Sequence, residues 1–250
     1  MTNEEQPTIN PGHFQPVHLP VNRLEPPEPG VVHLWYLDLL KLGSPLQPGH
    51  AEPLTRITPR QERTIRRFYL RLLLGAYLRL PGKEVSVSRL VRGKPVLDAN
   101  VHGRALDFSI AGSAACCLIG VCSEGLIGVD LELAGRRTGN PLGLARRYFS
   151  ESEVEALSSC AGEGLDRAFL HTWACKEAVV KAAGHGIANQ LCRFTVSTRM
   201  DRRPEVLDML DDEPTAWRLE IVGPSKRHLG AVALRHDGMK IEAFRLEHRN

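Results

Sequence analysis

At 250 residues, with 42% hydrophobic and 24% charged residues, the chain has the balance of a soluble globular protein of one large domain or two ordinary ones. A formal charge of +3 is too mild to point to nucleic acid; no apolar run approaches the ~18 residues of a membrane span, and the start MTNEEQPTIN lacks the basic and apolar parts of a signal peptide. The six cysteines form no C-x-x-C pair and no zinc-type spacing with histidine, which points to a reducing cytoplasm and argues against a zinc site.

Residues 1–30 carry seven of the 17 prolines and few large apolar side chains, and are expected to form an extended, poorly ordered arm. Val31–Leu40 is the first strand candidate, followed by a loop over Leu42–Leu54. Thr58-Pro59-Arg60-Gln61 combines a Thr cap, Pro at the first position and Gln at the third, so a helix is expected from there to about Leu80, before Pro81-Gly82. Ile65, Phe68, Leu72, Leu73 and Ala76 give its apolar face. Arg60, Arg63, Arg66, Arg67 and Arg71 crowd the rest, either as a solvated basic face or as a cradle for a polyanion.

Ser86–Leu97 reads as a strand interrupted by Gly93-Lys94-Pro95, and Leu106–Ile110, Ala114–Val121 and Leu126–Leu133 as short strands, the last two joined by a Ser123-Glu124-Gly125 hairpin turn. Ser150 with Glu153 forms a capping box that opens a helix through about Ser158. A longer helix opens near Asp166 and closes at Gly184. Strand candidates Arg193–Ser197, Trp217–Val222, Leu229–Arg235 and Lys240–Leu246 complete the chain. Each half thus runs strand, long helix, several short strands. The expectation is an α+β fold of two similar lobes, 31–125 and 126–250, related by a pseudo-twofold axis.

Two stretches carry chemistry. In the Asp166–Ala183 helix, Phe169, Leu170, Trp173, Ala174 and Val180 share one apolar arc, and Glu177 falls inside it. A carboxylate facing inward needs compensation. In Ile127–Glu132, alternation puts Gly128, Asp130 and Glu132 on one face, with the two carboxylates ~7 Å apart and glycine clearing space beside them. Like charges so placed repel unless a cation sits between them. Each feature taken singly also reads as a solvated strand face or an i,i+4 helix pair of Glu177 with Lys181. Together they give an oxygen-only donor set of Asp130, Glu132 and Glu177, suited to Mg²⁺ or Mn²⁺ shared with substrate phosphates. Lys181 either neutralises a phosphate or holds the carboxylate; Arg71 and Lys94 are further candidate phosphate contacts. His185, between glycines, is assigned no role, and Trp173 reads as a core anchor.

Gly128-Val129-Asp130-Leu131-Glu132, Tyr148-Phe149-Ser150-Glu151-Ser152-Glu153 and Trp173…Lys176-Glu177-Ala178…Lys181…Gly184-His185-Gly186 resemble, in order, the G-[IV]-D-x-E, F-[FS]-x-x-E and W-x-x-K-E-[AS]-x-x-K-x-x-G-x-G motifs of the 4′-phosphopantetheinyl transferase superfamily. The likeness is to its larger, monomeric, two-lobed branch, and it runs from about Val31 to the end. It implies transfer of the phosphopantetheine arm of coenzyme A to a serine of an acyl- or peptidyl-carrier protein, with release of 3′,5′-ADP. It further implies Mg²⁺ held by Asp130, Glu132 and Glu177, Glu177 as base for the serine, and Lys181 on the transferring phosphate. Arg71, Lys94 and Ser113 are implied as coenzyme A phosphate ligands. One run departs from the family's F-N-x-S-H-S: here it is Phe108-Ser109-Ile110-Ala111-Gly112-Ser113, with Gly112 at the histidine position and Ala111 before it. Loss of such a ligand typically costs ~1.5–3 kcal/mol, which implies weaker or altered coenzyme A binding. That departure motivates an alternative reading, a non-catalytic member binding a carrier domain or nucleotide-like ligand.

Overall fold

Residues 9–43, 54–91, 93–103, 105–184 and 191–249 are described by the structure, a computed structural model. In chain order the strands and helices are β1 (Gln15–His18), β2 (Val31–Asp38), α1 (Leu39–Leu42), α2 (Pro59–Leu78), β3 (Val87–Arg89), β4 (Pro95–Leu97), α3 (Ala99–His102), β5 (Asp107–Ser113) and β6 (Cys116–Cys122). They continue with β7 (Leu126–Leu133), α4 (Pro141–Tyr148), α5 (Glu151–Ser158), α6 (Gly162–Ala183), β8 (Phe194–Val196), β9 (Val206–Met209), β10 (Trp217–Ser225), β11 (His228–Arg235) and β12 (Lys240–Glu247).

Period-two alternation along the strands gives each of the two main sheets two apolar faces, and three cores follow. A five-stranded sheet of order β1-β12-β2-β6-β5 lies against a three-stranded sheet of order β10-β11-β7. Ile65, Tyr69, Leu73 and Tyr77 of α2 pack on Trp35, Phe108 and Ile119 from the outer face of the larger sheet. Leu34 and Leu118 meet Val129, Leu131 and Val232 between the sheets. Ala174 and Ala178 of α6 pack on Leu219, Ile221, Ala231 and Ala233 from the outer face of the smaller sheet. The result is four layers, helix, sheet, sheet, helix, in the expected α+β class with one helix-on-sheet unit in each half. Among the described residues no helix is long and apolar enough to cross a membrane.

Several expectations are corrected. Part of the expected N-terminal arm is ordered: β1 pairs in parallel with β12 at the sheet edge, where Pro16 is tolerated because no further strand needs its missing N–H. Just before it, Phe14 is buried edge-on to Tyr36. β12 does not stay with the second half but inserts beside β2, so its residues join the first lobe's sheet. The inward face of α2 is rotated from the expected one. Phe68 is 39% exposed, while Tyr69 and Leu70 turn inward, the Tyr69 hydroxyl donating to the Leu42 carbonyl at 3.1 Å. Helix α4 is additional; its signal is Asn140, whose side chain caps the Gly143 N–H, followed by Pro141. Helix α6 opens a turn early, at Gly162. Most of the expected Leu42–Leu54 loop, and His185, lie outside the described residues.

Candidate functional site

Glycine at position 128 sets the site. A Cβ there would stand 1.9 Å from the Ala178 carbonyl oxygen and 2.5 Å from the Ala182 nitrogen, so the backbone of α6 lies directly on β7. The expectation that Gly128 clears space beside the carboxylates is therefore corrected: the helix fills that space. The close approach brings the helix residues Glu177 and Lys181 onto the same face of β7 as Asp130.

Asp130 and Glu177 are 6% and 4% exposed. The Lys181 ammonium donates to Asp130 Oδ1 at 2.6 Å and stands 3.9 Å from Glu177 Oε2, so it links the strand to the helix. The other oxygens, Asp130 Oδ2 and Glu177 Oε1, are buried and have no hydrogen-bond partner. Orphaned carboxylate oxygens are rare in a folded interior and point to a missing partner. Burial pushes the Glu177 carboxyl up to about 7; Lys181 opposes the rise, and the like charges of Asp130 and Glu132 add to it. Glu132, at the outer edge, pairs with Arg136 at 3.0 Å, and burial followed by the Asp130 charge raises its pKa.

Among the described residues no three His, Cys, Asp or Glu side chains stand together as a preassembled metal centre. The donors nevertheless fit a hard cation. They are oxygen-only, two are buried without partners, and the local positive charge is a lysine on a flexible stem. Asp130, Glu177 and the rim carboxylate Glu132 are the residues that would hold it.

Lys176, the lysine of the K-E pair, has a different task. It is fully buried, and its ammonium donates to Glu153 Oε1 and Oε2 at 2.7 and 2.8 Å and to the Phe194 carbonyl at 2.6 Å. Glu153 also accepts from the Ser150 and Val196 backbone N–H groups at 2.8 Å each. Every donor of the lysine is satisfied, so the pair fastens α5, α6 and β8 together. Trp173 packs with Tyr148, Phe149 and Phe169, the core role expected of it.

Lys94 is not positioned as the expected phosphate ligand. Its ammonium donates to Asp107 Oδ2 at 2.7 Å, the Ile127 carbonyl at 3.1 Å and the Ala182 carbonyl at 3.3 Å, and its side chain is 7% exposed. An ammonium has three donors, so none is left for a phosphate. Lys94 instead ties the start of β7 to the end of α6, supporting the contact at Gly128. Arg71 lies outside the carboxylate cluster, between two grooves on α2. Ser113 ends β5, half-buried, with its carbonyl 3.3 Å from His228 Nε2.

Sequence reasoning missed the side chains that join β5 to β7. Asp107 Oδ2 accepts from the Ile127 N–H at 2.9 Å, and Ser109 Oγ from the Val129 N–H at 3.1 Å. The signal was present as polar residues two apart on an otherwise apolar strand. It missed His228 as well, whose Nδ1 lies 2.9 Å from Ser225 Oγ and which burial holds below the usual histidine pKa.

The family model of the 4′-phosphopantetheinyl transferase superfamily matches residues 126–233, the segment from β7 to β11. The chain is 36% identical to the 4′-phosphopantetheinyl transferase HetI of Nostoc over 63% of its own length and 70% of the relative's. It is 34% identical to a putative 4′-phosphopantetheinyl transferase of Synechocystis over 61% of each. It is also 28% identical to the human L-aminoadipate-semialdehyde dehydrogenase-phosphopantetheinyl transferase, over 68% of this chain and 59% of that one. With the matched segment carrying Asp130, Glu132, Glu177 and Lys181, the chain belongs to the 4′-phosphopantetheinyl transferase superfamily and is an enzyme of that class.

Proposed function

We propose that the chain transfers the 4′-phosphopantetheine arm of coenzyme A to a serine hydroxyl of an acyl- or peptidyl-carrier protein, releasing 3′,5′-ADP. The observation that carries this reading is the meeting of Asp130 and Glu177 around Lys181, with one buried oxygen of each carboxylate unpartnered. Asp130, Glu132 and Glu177 would hold Mg²⁺, with Mn²⁺ as a substitute. When bound, such an ion neutralises charge on the pyrophosphate.

In the reaction the serine oxygen forms a bond to the phosphorus that carries the pantetheine arm. The bond from that phosphorus to the bridging oxygen breaks, and its electron pair leaves with 3′,5′-ADP. The serine proton goes to the Glu177 carboxylate, whose burial raises its proton affinity toward neutrality. Lys181, half-exposed on its outer side, offers its charge to the transferring phosphoryl group. Arg71 and Ser113 are retained as candidate coenzyme A contacts, and Lys94 acts by positioning β7 against α6. The enzyme works as a cytoplasmic monomer, with no nucleic-acid or membrane partner.

Calorimetry with coenzyme A tests the reading. Affinity is expected to rise on adding Mg²⁺ in the native chain and to lose that increment in Glu177→Gln. Coenzyme A binding indifferent to Mg²⁺ in both proteins would remove the metal assignment. Affinity for a carrier domain with none for coenzyme A would favour a non-catalytic binding protein.

A further inference from the structure

On the side of α6 turned away from the carboxylates lies a cavity of about 180 Å³. Helical period accounts for the separation. At about 100° per residue, Val179 and Ala183 fall roughly 160° around the helix from Glu177 and Lys181. With Val180 they form one wall of the cavity. Leu126, Arg235 and Trp217 form another, a row of paired residues that crosses the smaller sheet from β7 through β11 to β10. Phe194 of β8 and Met209 of β9 complete the apolar lining. Along β7 this row stands four residues, about 13 Å, from Asp130.

The charged lining residues, among those described, are two arginines and two aspartates that pair with each other. Asp212 accepts from Arg235 Nε and Nη2 at 2.6 and 2.7 Å and from Trp217 Nε1 at 3.1 Å, and Asp211 accepts from Arg193 Nη2. The charges balance, so the cavity favours neither cations nor anions. One donor is left over: Arg193 Nε is buried and has no hydrogen-bond partner. A buried donor without an acceptor is costly and rare. An apolar lining with two aromatic side chains and one spare donor suits a flat, uncharged guest with one acceptor. The size agrees. An apolar cavity of about 150 Å³ takes up benzene, so 180 Å³ admits one ring with a small substituent.

We infer that this cavity is a binding site for a neutral single-ring aromatic molecule bearing one carbonyl-type acceptor, which the Arg193 Nε–H group meets. The site is independent of the transferase reading: it lies across α6 from Glu177 and Lys181, and its guest binds alongside coenzyme A.

The experiment is a fluorine NMR titration of the full chain with 4-fluoroacetophenone and with 4-fluorotoluene, a ring of similar shape without the acceptor. The native chain is expected to bind both saturably, the ketone about 10-fold more tightly, the low end for a charge-assisted hydrogen bond. Arg193→Met, at a side chain 42% exposed, should erase that preference and keep the ring bound. Ala183→Leu, which extends the helix wall into the cavity, should abolish binding of both probes, with a thermal melt to verify folding. If that variant does not fold, the Arg193→Met comparison decides alone. Saturating the native chain with coenzyme A should leave the affinity for the ketone unchanged. No saturable binding by the native chain, or undiminished binding in folded Ala183→Leu, would overturn the site. Equal affinity of the native chain for the two probes would overturn the role of Arg193 and the ligand class with it. Release of the ketone by coenzyme A would also overturn the site, since it would put the ketone in the coenzyme cleft.

Discussion

At the scale of single residues, the centre depends on a carboxylate kept in an interior that disfavours its charge. Glu177→Gln keeps the shape and removes both the proton acceptor and one metal donor. Turnover is expected to fall by at least ~10²-fold, the usual worth of a positioned base, while the melting temperature stays level or rises because a buried charge has gone. Steady-state rates together with a thermal melt check this; retained turnover would remove Glu177 from the mechanism. His171 gives a separate, non-catalytic prediction. It is 5% exposed on α6 with Nδ1 unpartnered, and burial lowers its pKa to about 4 from the usual 6.5. The unfolded chain then binds a proton that the folded chain refuses, so this contribution to stability is present above pH 6.5 and is lost as the pH falls to about 4. The loss amounts to about 3 kcal/mol. Urea unfolding at pH 7 and pH 4.5 should show a smaller drop in His171→Phe than in the native chain; equal drops would mean the histidine is protonated in the fold.

Two joints between elements carry the same logic upward. The α6–β7 contact depends on Gly128, where a methyl group would collide with the Ala178 carbonyl. Gly128→Ala should destabilise the protein by about 2–3 kcal/mol or more, the cost of overpacking, and lower activity beyond what stability explains by moving Glu177 away from Asp130. Denaturation midpoints and rates on the residual folded protein would measure both, and full activity would mean the contact is looser than drawn. The second joint is Lys176–Glu153. Glu153→Ala leaves an ammonium buried with one carbonyl partner and should cost about 3–5 kcal/mol. Replacing both by apolar residues of similar volume, Lys176→Met with Glu153→Leu, should recover much of that, although the Ser150 and Val196 N–H groups lose their acceptor. A double variant as unstable as the single one would show that the N–H contacts dominate.

For the molecule as a whole, what was legible in the sequence follows from the range of the interactions. Caps are local signals, so the starts of α2 and α5 were read correctly from Thr58-Pro59 and Ser150…Glu153. The inward turn of Glu177 was legible because helical period places it among Phe169, Leu170 and Ala174, all buried. Long-range pairings were not legible. Nothing in Gln15–His18 or Lys240–Glu247 says that the two ends of the chain lie side by side, because period-two alternation fixes a strand's faces but not its neighbour. The contacts of Lys94 were not legible for a related reason: its three acceptors lie 13, 33 and 88 residues away. The family resemblance supplied the chemistry, and the layered fold explains how the second half of β7 and the last two turns of α6 come to share it. The most direct test of the central claim is intact-mass spectrometry of apo-carrier proteins incubated with this chain, coenzyme A and Mg²⁺. The account predicts a mass increase of one phosphopantetheine arm on the carrier, lost on chelating the metal and lost in Glu177→Gln. Carriers left unmodified across a panel that a known transferase modifies in parallel would contradict it.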